Sequence, residues 1–312
     1  MSKPKVLLTH KIPRAVRATL EEACDVDYHD GYALAPADLM SRLRDRQGVV
    51  TVFTDMLTAG VMDAAPELKV IANIAVGFNN IDVPAARARG IVVTNTPDVL
   101  TEATADMTWA LIMDITRRVS EGDRLVRRGG WKAWSFDFML GMELRGRQLG
   151  IIGYGRIGRA VAARAAAFGM RVAHTPSRSA PGGEALPIDR LLATSDIVSL
   201  HCPLTPETRH LIGQPALARM KRSAYLINTS RGAVVDEAAL AWALRERMIS
   251  GAALDVYEDE PNVHPDLLGL ENVVLSPHLG SATTDTRTAM ADLAVRNAIA
   301  VLSGQPPMTP VP

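Results

Sequence analysis

Three short segments of this 312-residue chain carry the side chains that chemistry could use. They read Leu226-Ile227-Asn228-Thr229-Ser230-Arg231-Gly232, Ala253-Leu254-Asp255-Val256-Tyr257-Glu258-Asp259-Glu260-Pro261 and Leu275-Ser276-Pro277-His278-Leu279-Gly280-Ser281. Each starts apolar and turns polar, as a buried strand does when it delivers polar residues at its carboxyl end. A guanidinium at Arg231 would bind and polarise an anionic oxo compound. An imidazole at His278 would give a proton to an oxygen that is gaining charge. Glu260, hydrogen-bonded to that ring, would fix its orientation and favour its protonated form. One arginine, one acid and one histidine meet the needs of 2-oxo acid reduction, provided that a hydride comes from elsewhere.

The hydride source is legible upstream. Gly153-Tyr154-Gly155-Arg156-Ile157-Gly158 follows the apolar run Leu149-Gly150-Ile151-Ile152 and precedes an alanine-rich helical pattern. That context turns a common glycine spacing into a dinucleotide signature. Gly153 permits the tight turn, Gly155 lets backbone approach a pyrophosphate, and Gly158 lets the helix pack on the strand. Backbone N–H groups and the helix dipole would then hold the diphosphate. Beyond the next strand the chain reads His174-Thr175-Pro176-Ser177-Arg178, with no acid until Glu184. An NAD site places a carboxylate about 20 residues beyond the glycines, to accept from the ribose 2′-hydroxyl. A hydroxyl and a guanidinium suit a 2′-phosphate instead. NADPH is therefore the expected cofactor, through Ser177 and Arg178 with His174 or Thr175 assisting, and NAD remains usable.

The elements that must position these groups alternate between short β-branched runs and amphipathic stretches, the mark of a parallel α/β fold. Strands are expected at 6–9, 49–53, 70–73 and 91–94, with helices at 14–23 and 36–45. A long apolar helix, buried or facing another subunit, opens at Thr101. A second strand series follows at 148–152, 170–174, 197–200, 224–228, 251–255 and 273–275, with a helix at 156–168. A closing helix at 283–302 precedes the proline-bearing run 305–312. Two α/β units are expected, the second inserted into the first: residues 1–98 with 285–312 for substrate, and 99–284 for the dinucleotide. The length fits two domains.

Lys and Arg number 34 and Asp and Glu 34, so no basic excess exists to bind nucleic acid or an anionic membrane. The pairs Arg117-Arg118 and Arg127-Arg128 read as solvated helix faces. Cys24 and Cys202 are the only cysteines, in no metal-ligand spacing, and no metal is expected. No run approaches the ~20 apolar residues of a membrane helix, and no secretory leader is visible. A cytoplasmic protein is the expectation.

Four blocks together resemble the D-2-hydroxyacid dehydrogenase family over nearly the full chain: residues 153–158, His201-Cys202-Pro203-Leu204-Thr205-Pro206-Glu207-Thr208, the Arg231 segment, and the paired Glu260 and His278 segments. The family's Arg, Glu and His fall on Arg231, Glu260 and His278. The resemblance implies a Rossmann dinucleotide-binding domain inserted into a flavodoxin-like substrate domain. It implies a cofactor surface that includes Thr175, Cys202, Pro203, Thr208, Thr229 and Ser230. Arg231, Asp255, His278 and Gly280 would complete that surface, with Thr208 meeting a phosphate and Asp255 the nicotinamide amide. It also implies that the N–H groups of Val76 and Gly77 receive the substrate carboxylate; from the residues alone that run reads as a structural turn.

Within the family, residues 101–106 and 131–141 look most like glyoxylate/hydroxypyruvate reductases, in which a tryptophan shapes the pocket, in some members from the neighbouring subunit. Trp131 and Trp134 are both candidates, beside ordinary core or dimer packing. A homodimer acting on a small 2-oxo acid is expected. The alternatives are a 2-ketogluconate or other D-2-hydroxyacid dehydrogenase and, more distantly, a nucleotide-sensing corepressor. The complete Arg-Glu-His set counts against the latter. His201, His10, His29, His210 and His264 read as packing or surface residues.

Overall fold

The computed structural model describes residues 2–176 and 183–312. The chain divides into two compact units, Met1–Leu100 with Thr283–Pro312, and Thr101–Ala282.

The first unit is a five-stranded sheet of β1 (Lys5–Leu8), β2 (Asp25–Tyr28), β3 (Gly48–Thr51), β4 (Val70–Asn73) and β5 (Val92–Thr94). Helices α1 (Arg14–Ala23), α2 (Pro36–Leu43), α3 (Ala59–Asp63) and α4 (Val83–Ala88) link them. All pairings are parallel in the order β2-β1-β3-β4-β5, the flavodoxin-like order. Side chains alternate between faces along a strand, and β1 shows it. Val6 and Leu8 join Val16 and Leu20 of α1 in one core, whereas Leu7 joins Leu39 and Leu43 of α2 in another. The sequence pattern misses β2 for a physical reason. Asp25-Val26-Asp27-Tyr28 lies at the sheet edge with no fully buried residue, so the apolar signal of a central strand is absent.

The second unit opens with α5 (Thr101–Arg117) and α6 (Val119–Arg127). It continues through β6 (Gln148–Ile152), α7 (Arg156–Ala165), β7 (Arg171–His174), β8 (Glu184–Ala185), α8 (Ile188–Thr194) and β9 (Ile197–Leu200). Then come α9 (Gln214–Arg219), β10 (Tyr225–Asn228), α10 (Glu237–Arg245), β11 (Gly251–Leu254), α11 (Pro265–Leu268) and β12 (Val273–Leu275). The sheet order is β12-β11-β10-β9-β6-β7-β8, again all parallel. Counted within the unit this is the 3-2-1-4-5-6 Rossmann order with a seventh strand added at one edge. The order reverses between β6 and β9, which is where such sheets bind ligands.

The apolar face of α5 is consumed inside its own unit. Trp109, Leu111, Ile112 and Ile115 pack with Leu149, Ile151 and Val161, and the Trp109 indole donates to the Val161 carbonyl at 3.0 Å. The helix is thus buried, and a subunit contact cannot be argued from it. Apolar side chains are exposed instead just beyond it, at Val119, Val126, Trp131, Trp134, Phe136 and Leu140. The basic pairs near this stretch are neutralised locally, Arg118 by Glu121, Arg127 by Asp123 and Arg128 by Glu271. Finally α12 (Thr284–Leu302) returns to the first unit and lays Ala291, Ala294, Val295 and Ala298 on its Val6 face.

Ile151 is fully buried on β6, two residues before the glycine turn. Its truncation, Ile151→Ala, removes methyl groups from a close-packed site and should cost about 2–5 kcal/mol. Calorimetric unfolding of the full chain checks this through a drop in the transition temperature.

Candidate active site

The glycine turn sits at the carboxyl end of β6, at the switch point of the sheet. Gly153 has φ +93°, and a Cβ there would fall 2.4 Å from the Cys202 nitrogen and 2.5 Å from the His201 carbonyl carbon. No side chain fits, because the loop after β9 lies directly on this turn. At Gly158 a Cβ would meet the Gly153 oxygen at 2.4 Å, so helix and strand close on each other there. At Gly155 it would meet nothing within 4 Å. The space is open at the one glycine where a diphosphate must come near backbone. Gly155 is the N-cap of α7 and gives it no side-chain cap, so the positive end of the helix is of the kind that receives an anion. The residues present therefore fit a dinucleotide. Thr175 accepts from the Gly153 N–H at 3.2 Å, and Tyr154 stacks on His174 at 3.9 Å, which braces the turn against the end of β7. Ser177 and Arg178 lie outside the described residues.

At the ends of β10, β11 and β12 the structure brings the three expected polar groups into one constellation. His278 Nδ1 lies 2.7 Å from Glu260 Oε2. An ionised carboxylate can only accept, so Nδ1 carries the shared proton. Burial alone would raise the Glu260 carboxyl. The hydrogen bond and charge of His278, the Tyr257 N–H and the charge of Arg231 outweigh burial and hold the carboxyl below its ordinary value. Glu260 thus stays ionised past the pH at which a free glutamate takes up its proton. Burial lowers the Arg231 guanidinium, against the opposing charge of Glu260, and it remains a cation.

Two features fix this geometry. A Cβ on Gly232 would lie 1.8 Å from the Tyr257 carbonyl carbon and 2.4 Å from the Glu258 nitrogen. The loop carrying Arg231 is therefore seated on the backbone that leads to Glu260. The second feature is Asp255, 1% exposed. Its Oδ1 accepts from the Ser276 hydroxyl at 2.6 Å and the Leu279 N–H at 2.7 Å, and its Oδ2 from the Gly280 N–H at 2.7 Å. These bonds encircle His278, whose backbone is left-handed at φ +53°. A non-glycine residue there is strained and persists only where its surroundings over-determine it. Asp255, expected to face a nicotinamide amide, holds the histidine loop through these bonds.

The remaining expected residues are mostly engaged locally. The Thr229 hydroxyl pairs with that of Thr108 at 2.9 Å, and the Ser230 hydroxyl donates to Asn228 Oδ1 at 2.8 Å. The Thr208 hydroxyl donates to the Pro203 carbonyl at 2.7 Å and closes the 203–208 turn. Burial pushes the Cys202 thiol up to about 11, which leaves its backbone beside Gly153 as its contribution. His201 bonds Ser199 at 2.8 Å and is held neutral by burial, with its pKa pushed down to about 3. His210 pairs with Glu258 at 2.7 Å, a structural contact.

In the first unit the turn after β4 presents a row of amides. The carbonyl of Ala75 accepts from the Thr96 N–H at 2.9 Å. The carbonyl of Val76 accepts from Asn95 Nδ2 at 2.8 Å, and that of Gly77 from Asn73 Nδ2 at 2.9 Å. In a planar trans peptide the N–H points opposite to the C=O. Three clamped carbonyls therefore turn the N–H groups of Val76, Gly77 and Phe78 away from Thr96, Asn95 and Asn73. None of these N–H groups has a partner among the described residues. Successive amides of this kind make a concavity for an anion. Asn73 and Asn95 escape a motif search because they act on carbonyl groups and not on a ligand.

Comparison with known proteins agrees with this geometry. Residues 109–280 match the family model of the D-isomer specific 2-hydroxyacid dehydrogenase, NAD binding domain. A glyoxylate reductase from Thermococcus onnurineus is 47% identical over 98% of this chain and 95% of that protein. Among solved structures, a protein from Thermus thermophilus superposes with a TM-score of 0.94 at 47% identity, covering 99% of this chain and 100% of that one. An NADPH-dependent glyoxylate/hydroxypyruvate reductase from Sinorhizobium meliloti, in complex with NADP and malonate, gives 0.89 at 38% identity, covering 99% and 97%. A Rossmann switch point with an open glycine turn, an Arg-Glu-His constellation on the adjoining strand ends, and these matches lead to one assignment: the chain belongs to the D-isomer specific 2-hydroxyacid dehydrogenases.

Proposed function

We propose that this protein reduces glyoxylate, hydroxypyruvate or a similarly small 2-oxo acid to the D-2-hydroxy acid. The observation that carries the reading is the 2.7 Å bond between His278 and Glu260 beside Arg231. Bound on the glycine turn, a reduced nicotinamide supplies the hydride. Arg231 binds the anionic substrate and draws electron density onto its 2-oxo oxygen. His278 gives that oxygen a proton from Nε2 while Glu260 stabilises the imidazolium before transfer. The N–H groups of Val76 and Gly77 receive the carboxylate. Nicotinamide dinucleotide binding follows from the family, and NADPH preference is supported by the acid-free sequence 174–183 and by the NADP-bound relative. Reduction of 2-ketogluconate is separated from this reading by its substrate alone.

A homodimer is part of the proposal. Trp134 is 75% exposed, and Trp131, Phe136 and Leu140 are exposed with it on one stretch of chain. Side chains of this size left in water mark an interaction surface. Trp131 or Trp134 would thereby reach the pocket of the second copy.

His278→Ala should lower kcat by about 10²–10⁴-fold, the usual worth of a positioned proton donor, with little change in cofactor binding. Glu260→Gln removes the negative charge beside the ring that stabilises the imidazolium, so kcat/KM should fall by about tenfold or more with little change in cofactor binding. An unchanged kcat/KM would remove Glu260 from the proton chemistry. Initial rates with glyoxylate, hydroxypyruvate, pyruvate and 2-ketogluconate, each with NADH and NADPH, test substrate and cofactor together. Arg178→Ala should raise the KM for NADPH far more than that for NADH, and equal changes refute the cofactor preference. Sedimentation should give twice the chain mass, and Trp134→Glu with Phe136→Glu should return it to one.

A further inference from the structure

The amide row at 76–78 is held from behind by a chain of hydrogen bonds that none of the chemistry above requires. Asn95, which clamps the Val76 carbonyl, exchanges two bonds with Thr309: its N–H donates to the Thr309 carbonyl at 3.2 Å, and its own carbonyl accepts from the Thr309 hydroxyl at 2.6 Å. Thr309 in turn is held by Asn297 of α12, 0% exposed. Asn297 Nδ2 donates to the Thr309 hydroxyl at 2.8 Å and to the Leu293 carbonyl at 2.9 Å. Its Oδ1 accepts from the N–H groups of Met308 at 2.8 Å and Thr309 at 3.1 Å. Both donors and both lone pairs of this amide are therefore used. The segment also adds to the edge of the sheet, with Thr94 bridged to Pro310 and the Val311 N–H donating to the Val93 carbonyl at 2.8 Å.

A fully satisfied buried amide is costly to disturb and fixes whatever it bonds. Helix α12 alone could be held by its alanine face. Bonding both asparagines to one threonine does something further, because it sets where Asn95 stands and hence which way the Val76 peptide faces. The Thr309 hydroxyl joins the two, accepting from Asn297 and donating to Asn95.

We propose that residues 308–311 are a positioning element for substrate carboxylate: Thr309, seated by Asn297, holds Asn95 so that the Val76, Gly77 and Phe78 amides converge on the anion. The inference rests on the reading of 76–78 as the carboxylate site. Thr309 and Asn297 touch no substrate and act only through Asn95.

Thr309→Val keeps the shape and removes the hydroxyl; Thr309→Ser keeps the hydroxyl. Thr309→Val should raise the KM for glyoxylate and the inhibition constant for oxalate, a carboxylate that is not reduced, by about tenfold, the worth of roughly one hydrogen bond. The KM for NADPH should not change, and Thr309→Ser should behave as the parent. Gly77→Pro, which deletes an N–H with no partner among the described residues, reports on the carboxylate site itself. If Gly77→Pro raises both constants and Thr309→Val raises neither, the positioning role is overturned while the site stands. A fall in kcat at unchanged KM and oxalate inhibition in Thr309→Val overturns it as well. If Gly77→Pro leaves both constants unchanged, the carboxylate reading falls and the inference with it.

Discussion

The bond between His278 and Glu260 sets the requirement that the second unit meets. A proton donor is useful only if its ring neither turns nor drifts, and a side chain on a loop does both unless it is held. The two residues come from different strand ends, so the bond requires that the loops after β11 and β12 keep a fixed separation. Asp255 supplies this from within the sheet, since it stands at the end of β11 and accepts from the loop after β12. Gly232 extends the constraint to the loop after β10, where absence of a side chain lets the residue next to Arg231 lie on the Tyr257–Glu258 backbone. Parallel strands in register place the three loops side by side, and these contacts remove the freedom that is left.

The first unit solves a different problem with the same means. The anion site proposed there draws on the backbone. It is made of peptide N–H groups whose direction follows from what the attached carbonyl groups accept, one from a backbone amide and two from asparagine side chains. Backbone dipoles fixed in this way cost no reorganisation when an anion arrives. On the proposed reading, oriented amides serve a carboxylate in one unit and, at the start of α7, a diphosphate in the other.

How much of this could be read in the sequence follows from what kind of residue does the work. The glycine turn and the Arg231, Glu260 and His278 set are legible because their chemistry admits few residue types and their spacing against apolar strands is regular. The strands β4, β6, β9 and β12 are legible because they are buried on both faces and written almost wholly in apolar residues. Strands β2 and β8 are not, being short edge strands with exposed, polar residues. Gly232 is silent in sequence because the group it avoids is backbone 25 positions away. Asn73, Asn95 and Asn297 are silent for a related reason: an asparagine that bonds a carbonyl looks like any loop or helix asparagine until the partner is known. The apolar helix α5 is legible as a covered helix, but its composition does not say whether the cover is its own sheet or another chain.

Asp255 holds the histidine loop through backbone N–H groups and a serine hydroxyl, groups whose charge is the same before and after turnover. His278, on the proposed chemistry, loses its proton in every cycle. Its scaffold is thus indifferent to the event it supports, and the empty-handed imidazole stands where the protonated one stood. By microscopic reversibility that neutral ring takes a proton from a hydroxy acid through the same transition state by which its conjugate acid gives one to an oxo acid. The loop therefore imposes no direction. Whether the pair of reactants is reduced or oxidised is left to their concentrations and to the redox state of the nicotinamide pool.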